Sequence, residues 1–196
     1  MARLVHLNGP PGIGKSTLAA LHADRNPGVL NLDVDALHRL VGGWRDEGTD
    51  TWPVVWPLVR AMAATHLAGG RDVVLPQYLA RVDEITAFED LARGHGAGFR
   101  EVVLLDDRAA SAERFERRAR DSDDPWVRHH HRLLGLRGGQ AALGAMYDDL
   151  LEVVRLRPSA VVVRSAAGAV EETYRLLADA MRGAPGHRTG GVLNAP

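Results

Sequence analysis

The chain has 196 residues, a formal net charge of −1, 45% hydrophobic and 25% charged residues, and no cysteine. That length suits one domain with a sizeable core, and the near-neutral charge excludes a global field drawing it to nucleic acid or a membrane surface. The lack of cysteine excludes disulfides and thiolate metal sites and fits a reducing cytoplasm; no signal-peptide or membrane-spanning apolar run is expected.

Arg3–Leu7 is short and apolar and predicts a buried strand, with a helix expected over Lys15–Asn26. Val29–Leu32 predicts a second strand and Asp35–Val41 a short helix stopped by Gly42-Gly43. Trp44–Asp50 is polar and reads as a loop. Pro53–Ala68 predicts a helix with proline at its start and Gly69-Gly70 at its end. Asp72–Leu75 is a third strand, Val82–Gly94 a helix, and Phe99–Leu105 a fourth strand. Helices are expected over Arg108–Arg120, Trp126–Leu136 and Gln140–Arg157, the first broken by Asp121–Pro125. Ala160–Val163 gives a fifth strand and Ala169–Met181 a last helix. The Gly- and Pro-rich stretch from Gly183 to Pro196 is expected to be a disordered tail. Apolar strands alternating with helices predict an α/β fold with a parallel sheet covered on both faces, and ligands bind at the carboxyl ends of such strands.

Of the 24 lysines and arginines, 23 are arginine, and the single lysine is Lys15. It sits in Gly9-Pro10-Pro11-Gly12-Ile13-Gly14-Lys15-Ser16, which fits G-x-x-x-x-G-K-[ST] between a predicted strand and a predicted helix. In such a loop the backbone amides of Gly12, Ile13, Gly14, Lys15, Ser16 and Thr17 face phosphate oxygens, aided by the helix N-terminus. A compact ammonium on a flexible stem reaches the β- and γ-phosphates where a planar guanidinium fits poorly. Ser16 is a candidate Mg²⁺ ligand. The expected ligands are therefore ATP and Mg²⁺.

The next motif is Asn31-Leu32-Asp33-Val34-Asp35-Ala36-Leu37-His38. Two carboxylates at a strand's carboxyl end can divide the work, one holding the Mg²⁺ water shell and the other taking the proton of an attacking hydroxyl. Capping of the following helix is the other use of either aspartate.

The phosphate loop together with this D-x-D pattern resembles the small P-loop kinases, such as shikimate and gluconate kinases. Asp33-Val34-Asp35-Ala36-Leu37-His38 is similar to the gluconate kinase pattern D-G-D-x-L-H, with Val34 in place of glycine. Chloramphenicol phosphotransferase and zeta-toxin-like kinases share the layout. The resemblance implies a P-loop NTPase three-layer sandwich over residues 1–182, with sheet order 2-3-1-4-5 and a helical lid near residues 108–137. It also implies a phosphotransferase acting on an alcohol, with Asp33 supporting magnesium and Asp35 and His38 on the acceptor side. Only the first 40 residues match in detail, so the sugar-acid substrate of gluconate kinases is not carried over. The third strand departs from the usual pattern by ending in Leu75-Pro76-Gln77 without an aspartate, a role Asp33 is expected to take. With one lysine the chain cannot hold the N-K-x-D guanine motif, which argues against a Ras-like GTPase.

On the acceptor side the candidates are Arg45, Gln77, Tyr78 and Arg81, with Trp44, Trp52 and Trp56 nearby as pocket walls or helix packing. Arg114, Arg117, Arg118 and Arg120 fall within seven residues of the expected lid. Arg118 and Arg120 are the candidates to offset charge on the transferring phosphoryl group, although a salt-bridged exposed helix would read the same way. His129-His130-His131 point in different directions on a helix and are not expected to bind one metal ion. The expectation is a cytoplasmic, ATP-dependent kinase for a small hydroxyl compound, monomeric or homodimeric, without nucleic-acid or membrane partners. The alternative is a nucleotide-binding regulatory protein without transfer.

Overall fold

The computed structural model describes residues 1–183. Five strands, β1 (Arg3–Asn8), β2 (Leu30–Asn31), β3 (Val73–Leu75), β4 (Gly98–Leu105) and β5 (Val161–Arg164), form one parallel sheet in the order β2-β3-β1-β4-β5. The intervening helices are α1 (Lys15–Arg25), α2 (Val34–His38), α3 (Trp52–Ala68), α4 (Val82–Gly94), α5 (Arg108–Asp121), α6 (Pro125–Leu136), α7 (Gln140–Leu156) and α8 (Val170–Arg182). Among the described residues no helix is long and apolar enough to cross a membrane.

The sheet buries both faces, which explains why its strands are near-continuous valine and leucine rather than alternating. Val5, Leu7, Val102 and Leu104 face α1 and α8, meeting Leu18, Ala19, Leu177 and Ala180. Leu4, Val73 and Leu75 face α3 and α4, meeting Val59, Ala63, Ile85 and Phe88. Val103 and Leu105 continue that second face under Tyr147 and Leu150 of α7. This is the three-layer arrangement the sequence implied, with β1 at its centre and the phosphate loop leaving its carboxyl end.

Two boundaries differ from the sequence reading for local reasons. Helix α2 begins at Val34 because the Asp33 carboxylate accepts the Asp35 N–H as an N-cap. It ends at His38 rather than Val41, because Leu40 and Val41 donate to Leu37 and His38 in tight three-residue turns. The edge strand β2 pairs with β3 over two residues, Leu30 with Val73 and Asn31 with Val74. Gly183 closes α8 at φ +76°, and the tail expected beyond it, residues 184–196, lies outside the described residues.

One buried polar pairing ties the sheet to the top of β3. His6 is fully buried and its Nε2–H donates to Gln77 O at 2.9 Å. Burial lowers its pKa to about 4, and its Nδ1 has no partner among the described residues.

Candidate active site

The phosphate loop is shaped by glycine geometry. Gly9 has φ +150°, and a Cβ there would lie 2.8 Å from Leu104 O and 2.9 Å from Ile13 Cγ2. Gly12 has φ +80°, and a Cβ would lie 2.9 Å from the Phe115 backbone of α5. The loop is thus in direct contact with α5, and no larger residue fits at either position. Asn8 anchors the loop's start: its Nδ2 donates to Leu79 O at 2.8 Å, and its Oδ1 accepts from Gly9 N and Leu79 N.

Lys15 folds back over this loop, donating to Gly9 O at 2.7 Å and Pro10 O at 3.0 Å. Burial lowers its pKa to about 8, opposed by Asp35 and Asp33 and reinforced by Arg118. A desolvated ammonium held only by carbonyls is a site for anionic oxygen. The Ser16 hydroxyl lies near the Asp33 carboxylate, whose pKa is raised by burial together with the neighbouring Asp35 charge. A hydroxyl and a carboxylate side by side, both oxygen donors, form a set suited to a hard divalent cation such as Mg²⁺. Thr17 is exposed on the first turn of α1.

Asp35 lies where the charges of Lys15, His38 and His130 all respond to it. Arg118 bears on the same Lys15 and His130. Asp35, Asp33 and Arg118 thus all lie within electrostatic reach of Lys15. Arg120, two residues further along α5, faces Pro10 and Pro11 across a cavity. Arg114 is half-buried and acts as a brace. Its guanidinium donates to Ile13 O at 2.8 Å and Ser165 O at 2.5 Å, and pairs with Asp106 at 3.4 Å. Ser165 Oγ adds a bond to Ile13 O at 2.9 Å. This clamp joins the phosphate loop, the end of β4, α5 and the loop after β5.

The acceptor-side candidates are dispersed. Gln77 engages neighbouring backbone, its side-chain amide donating to Tyr78 O at 3.4 Å. The Tyr78 hydroxyl donates to Met146 O of α7 at 2.9 Å, and burial raises its pKa. Arg81 is exposed and paired with Asp83. Arg45 lies over the Trp44 ring at 4.5 Å and lines a small cavity with Arg128, His129 and Arg132.

His38 is buried, hydrogen-bonded to Thr51 Oγ1 at 2.6 Å, and held between two indoles. It meets Trp52 edge-on at 4.2 Å and stacks on Trp126 of α6 at 5.2 Å. Trp52 stacks in turn on Trp56, and Trp126 contacts Trp44. All four tryptophans thus form one aromatic chain from α3 to α6. Ion pairs Arg39–Asp124 and Arg132–Glu47 cross the same gap. The three consecutive histidines diverge: His129 is buried by Trp44, His130 lies 4.3 Å from Trp126, and His131 pairs with Glu116.

Sequence reasoning missed Asn8, Asp106, Trp126 and the bracing role of Arg114. Asn8 directly before the loop glycine is the one such signal the sequence carried.

The AAA-domain family model matches residues 4–138. A crystal structure of a gluconokinase from Sinorhizobium meliloti 1021 superposes with a TM-score of 0.61 at 22% identity, covering 93% of each chain. A "putative kinase" from Chloroflexus aurantiacus J-10-fl gives 0.62 at 15% identity, covering 93% of this chain and 97% of that one. At these identities the likeness is one of fold. No curated protein sequence matches the chain.

Proposed function

The chain belongs to the AAA-domain family, and from that premise we propose that it is an ATP-dependent kinase acting on a hydroxyl of a small molecule. The observation that carries this reading is the desolvated Lys15 ammonium folded over the phosphate loop, with Asp35, Asp33 and Arg118 within electrostatic reach of it.

Each group has a defined task. Lys15 and the loop amides bind the β- and γ-phosphate oxygens, exchanging carbonyl partners for anionic ones. Ser16 and Asp33 would hold Mg²⁺, which when bound neutralises phosphate charge. Asp35 accepts the proton of the acceptor hydroxyl as its oxygen bonds to the γ-phosphorus and the bond to the β–γ bridging oxygen breaks, releasing ADP. Arg118 and Arg120, from two sides of α5, offset the charge on the transferring group. Residues 108–137 serve as the lid.

A second reading, nucleotide binding without transfer, is favoured by the missing aspartate after β3, where Leu75-Pro76-Gln77 stands instead. The two separate on ADP release. Release that rises on adding an alcohol acceptor, and is lost in Asp35→Asn with nucleotide affinity kept, supports the kinase. Release indifferent to every acceptor and to Asp35→Asn supports the regulatory protein.

A further inference from the structure

Helix α3 is apolar nearly all round. Its 17 residues include no acid, and no arginine or lysine besides Arg60. One side is accounted for, since Val55, Val59, Ala63 and Leu67 are buried in the core. The opposite side is bare. Val54, Leu58 and Met62 are 52%, 47% and 39% exposed, and Pro57, Ala61, Thr65 and Ala68 are exposed beside them. The helical period gathers these residues into one stripe centred on Ala61. Arg60 lies off the stripe, toward α4, within electrostatic reach of Glu84. The stripe is therefore uncharged over the helix length of about 25 Å. By contrast α7, also of 17 residues, exposes Asp148, Asp149, Glu152 and Arg155. A helix apolar on both sides and covered on one has a second partner to meet.

Residue sizes and end charges say which partner. Set two copies of α3 antiparallel with Ala61 facing Ala61. Val54 of one copy then meets Ala68 of the other, Leu58 meets Ala64, and Pro57 meets Thr65. Large side chains thus lie against small ones, ridge into groove, and the two-fold axis repeats each contact. The same register brings the N-terminal end of one helix level with the C-terminal end of the other. Asp50 is exposed at the first end, its carboxylate accepting the Trp52 N–H at 3.0 Å. Arg71 is exposed at the second, its Nη1 3.7 Å from where a Cβ on Gly69 would lie. Neither makes an ion pair among the described residues, and the apposition gives each a counter-charge.

We infer that the outer face of α3 is a homodimer interface, in which two copies of this chain pack antiparallel about Ala61 with Asp50 of each opposite Arg71 of the other. The pairing braces the helix whose Trp52 ring seats His38. It stands independently of the kinase reading.

The absence of native cysteine permits a direct test on the full chain. Sedimentation velocity across a concentration series is expected to reach twice the chain mass of 21.2 kDa. Ala61→Cys places a unique thiol on the two-fold axis and is expected to give a disulfide-linked dimer with a mild oxidant. In Thr65→Cys, on the same exposed stripe, the two thiols are offset by about 12 Å along the axis, beyond disulfide reach, so linkage should be about 10-fold slower or more. Leu58→Glu is expected to weaken the dimer on the order of 100-fold. Asp50→Arg should weaken it about 10-fold, and Asp50→Arg with Arg71→Asp should restore it. A monomeric mass at every concentration overturns the proposal. Equal linkage at positions 61 and 65 overturns the antiparallel register, and a charge swap that restores nothing overturns the Asp50–Arg71 pairing. A monomer that binds phosphatidylcholine vesicles, and loses that binding in Leu58→Glu, overturns the homodimer in favour of a membrane surface. If Asp50→Arg fails to fold, Asp50→Asn keeps the bond to Trp52 and removes the charge, and dimer affinity unchanged in that variant counts against the pairing equally.

Discussion

The two sides of the site are built differently. The phosphate side is fixed by backbone: Gly9 and Gly12 at contact distance from their neighbours, Asn8 bonding Gly9 and Leu79 of the loop after β3, and Arg114 clamping Ile13 to Ser165. The side toward α2 and α6 is held by rings and exposed ion pairs: the tryptophan chain through His38, with Arg39–Asp124 and Arg132–Glu47 across the gap. Exposed pairs contribute little, and stacked rings can part and re-form. A half fixed by backbone hydrogen bonds is thus set against a half closed by stacked rings and exposed ion pairs. The same contrast explains why the first was readable as a motif and the second was not.

That contrast can be broken at several points. Lys15→Ala removes the cation on the rigid side and is expected to lower transfer about 10³-fold. The same variant should melt higher than the wild type near neutral pH, because it no longer buries an ammonium. Wild-type turnover in this variant would contradict the phosphate-loop role. Asp35→Asn is expected to lower kcat about 10²-fold with nucleotide Kd unchanged, measured by ADP release and by titration. A parallel loss of nucleotide affinity would instead assign Asp35 to the phosphate side.

Arg114→Ala tests whether rigidity itself matters. Loss of the clamp should cost about 1–3 kcal/mol in urea unfolding, because the Ile13 and Ser165 carbonyls lose a charged donor. It should also weaken nucleotide binding while leaving the dependence on acceptor concentration as in the wild type.

The last effect concerns pH. Unfolded His6 takes up a proton near pH 6.5, whereas folded His6 does so near pH 4. Between these values the unfolded chain binds more protons, so stability falls as pH drops from 6.5 to 4, at up to about 1.4 kcal/mol per unit from this group. His6→Asn should flatten that part of the curve in urea melts at successive pH values, and an unaltered slope would place the acid sensitivity elsewhere.

The fold was legible because its signals are local. Valine- and leucine-rich strands, Gly-Gly stops after helices and a proline at a helix start placed the elements. The resemblance to small P-loop kinases implied the strand order that the structure shows. Lys15, Ser16, Asp33 and Asp35 were legible as candidates because each follows the carboxyl end of β1 or β2. The Arg114 clamp was not, since it joins residues up to 152 positions apart through Ile13 and Ser165. Nor was the pairing of His38 with Trp126, which depends on α6 folding back over α2. Tyr78 and Arg81 looked equally available in the sequence; only packing shows that one bonds α7 and the other pairs with Asp83.

The most direct measurement is transfer of the γ-phosphate from labelled ATP into an acceptor panel, with Lys15→Ala as the blank. The account predicts a labelled, alkali-stable phosphate ester from one alcohol, absent from the blank. Tight ATP binding with no labelled product from any acceptor would contradict it and leave a nucleotide-binding protein without transfer.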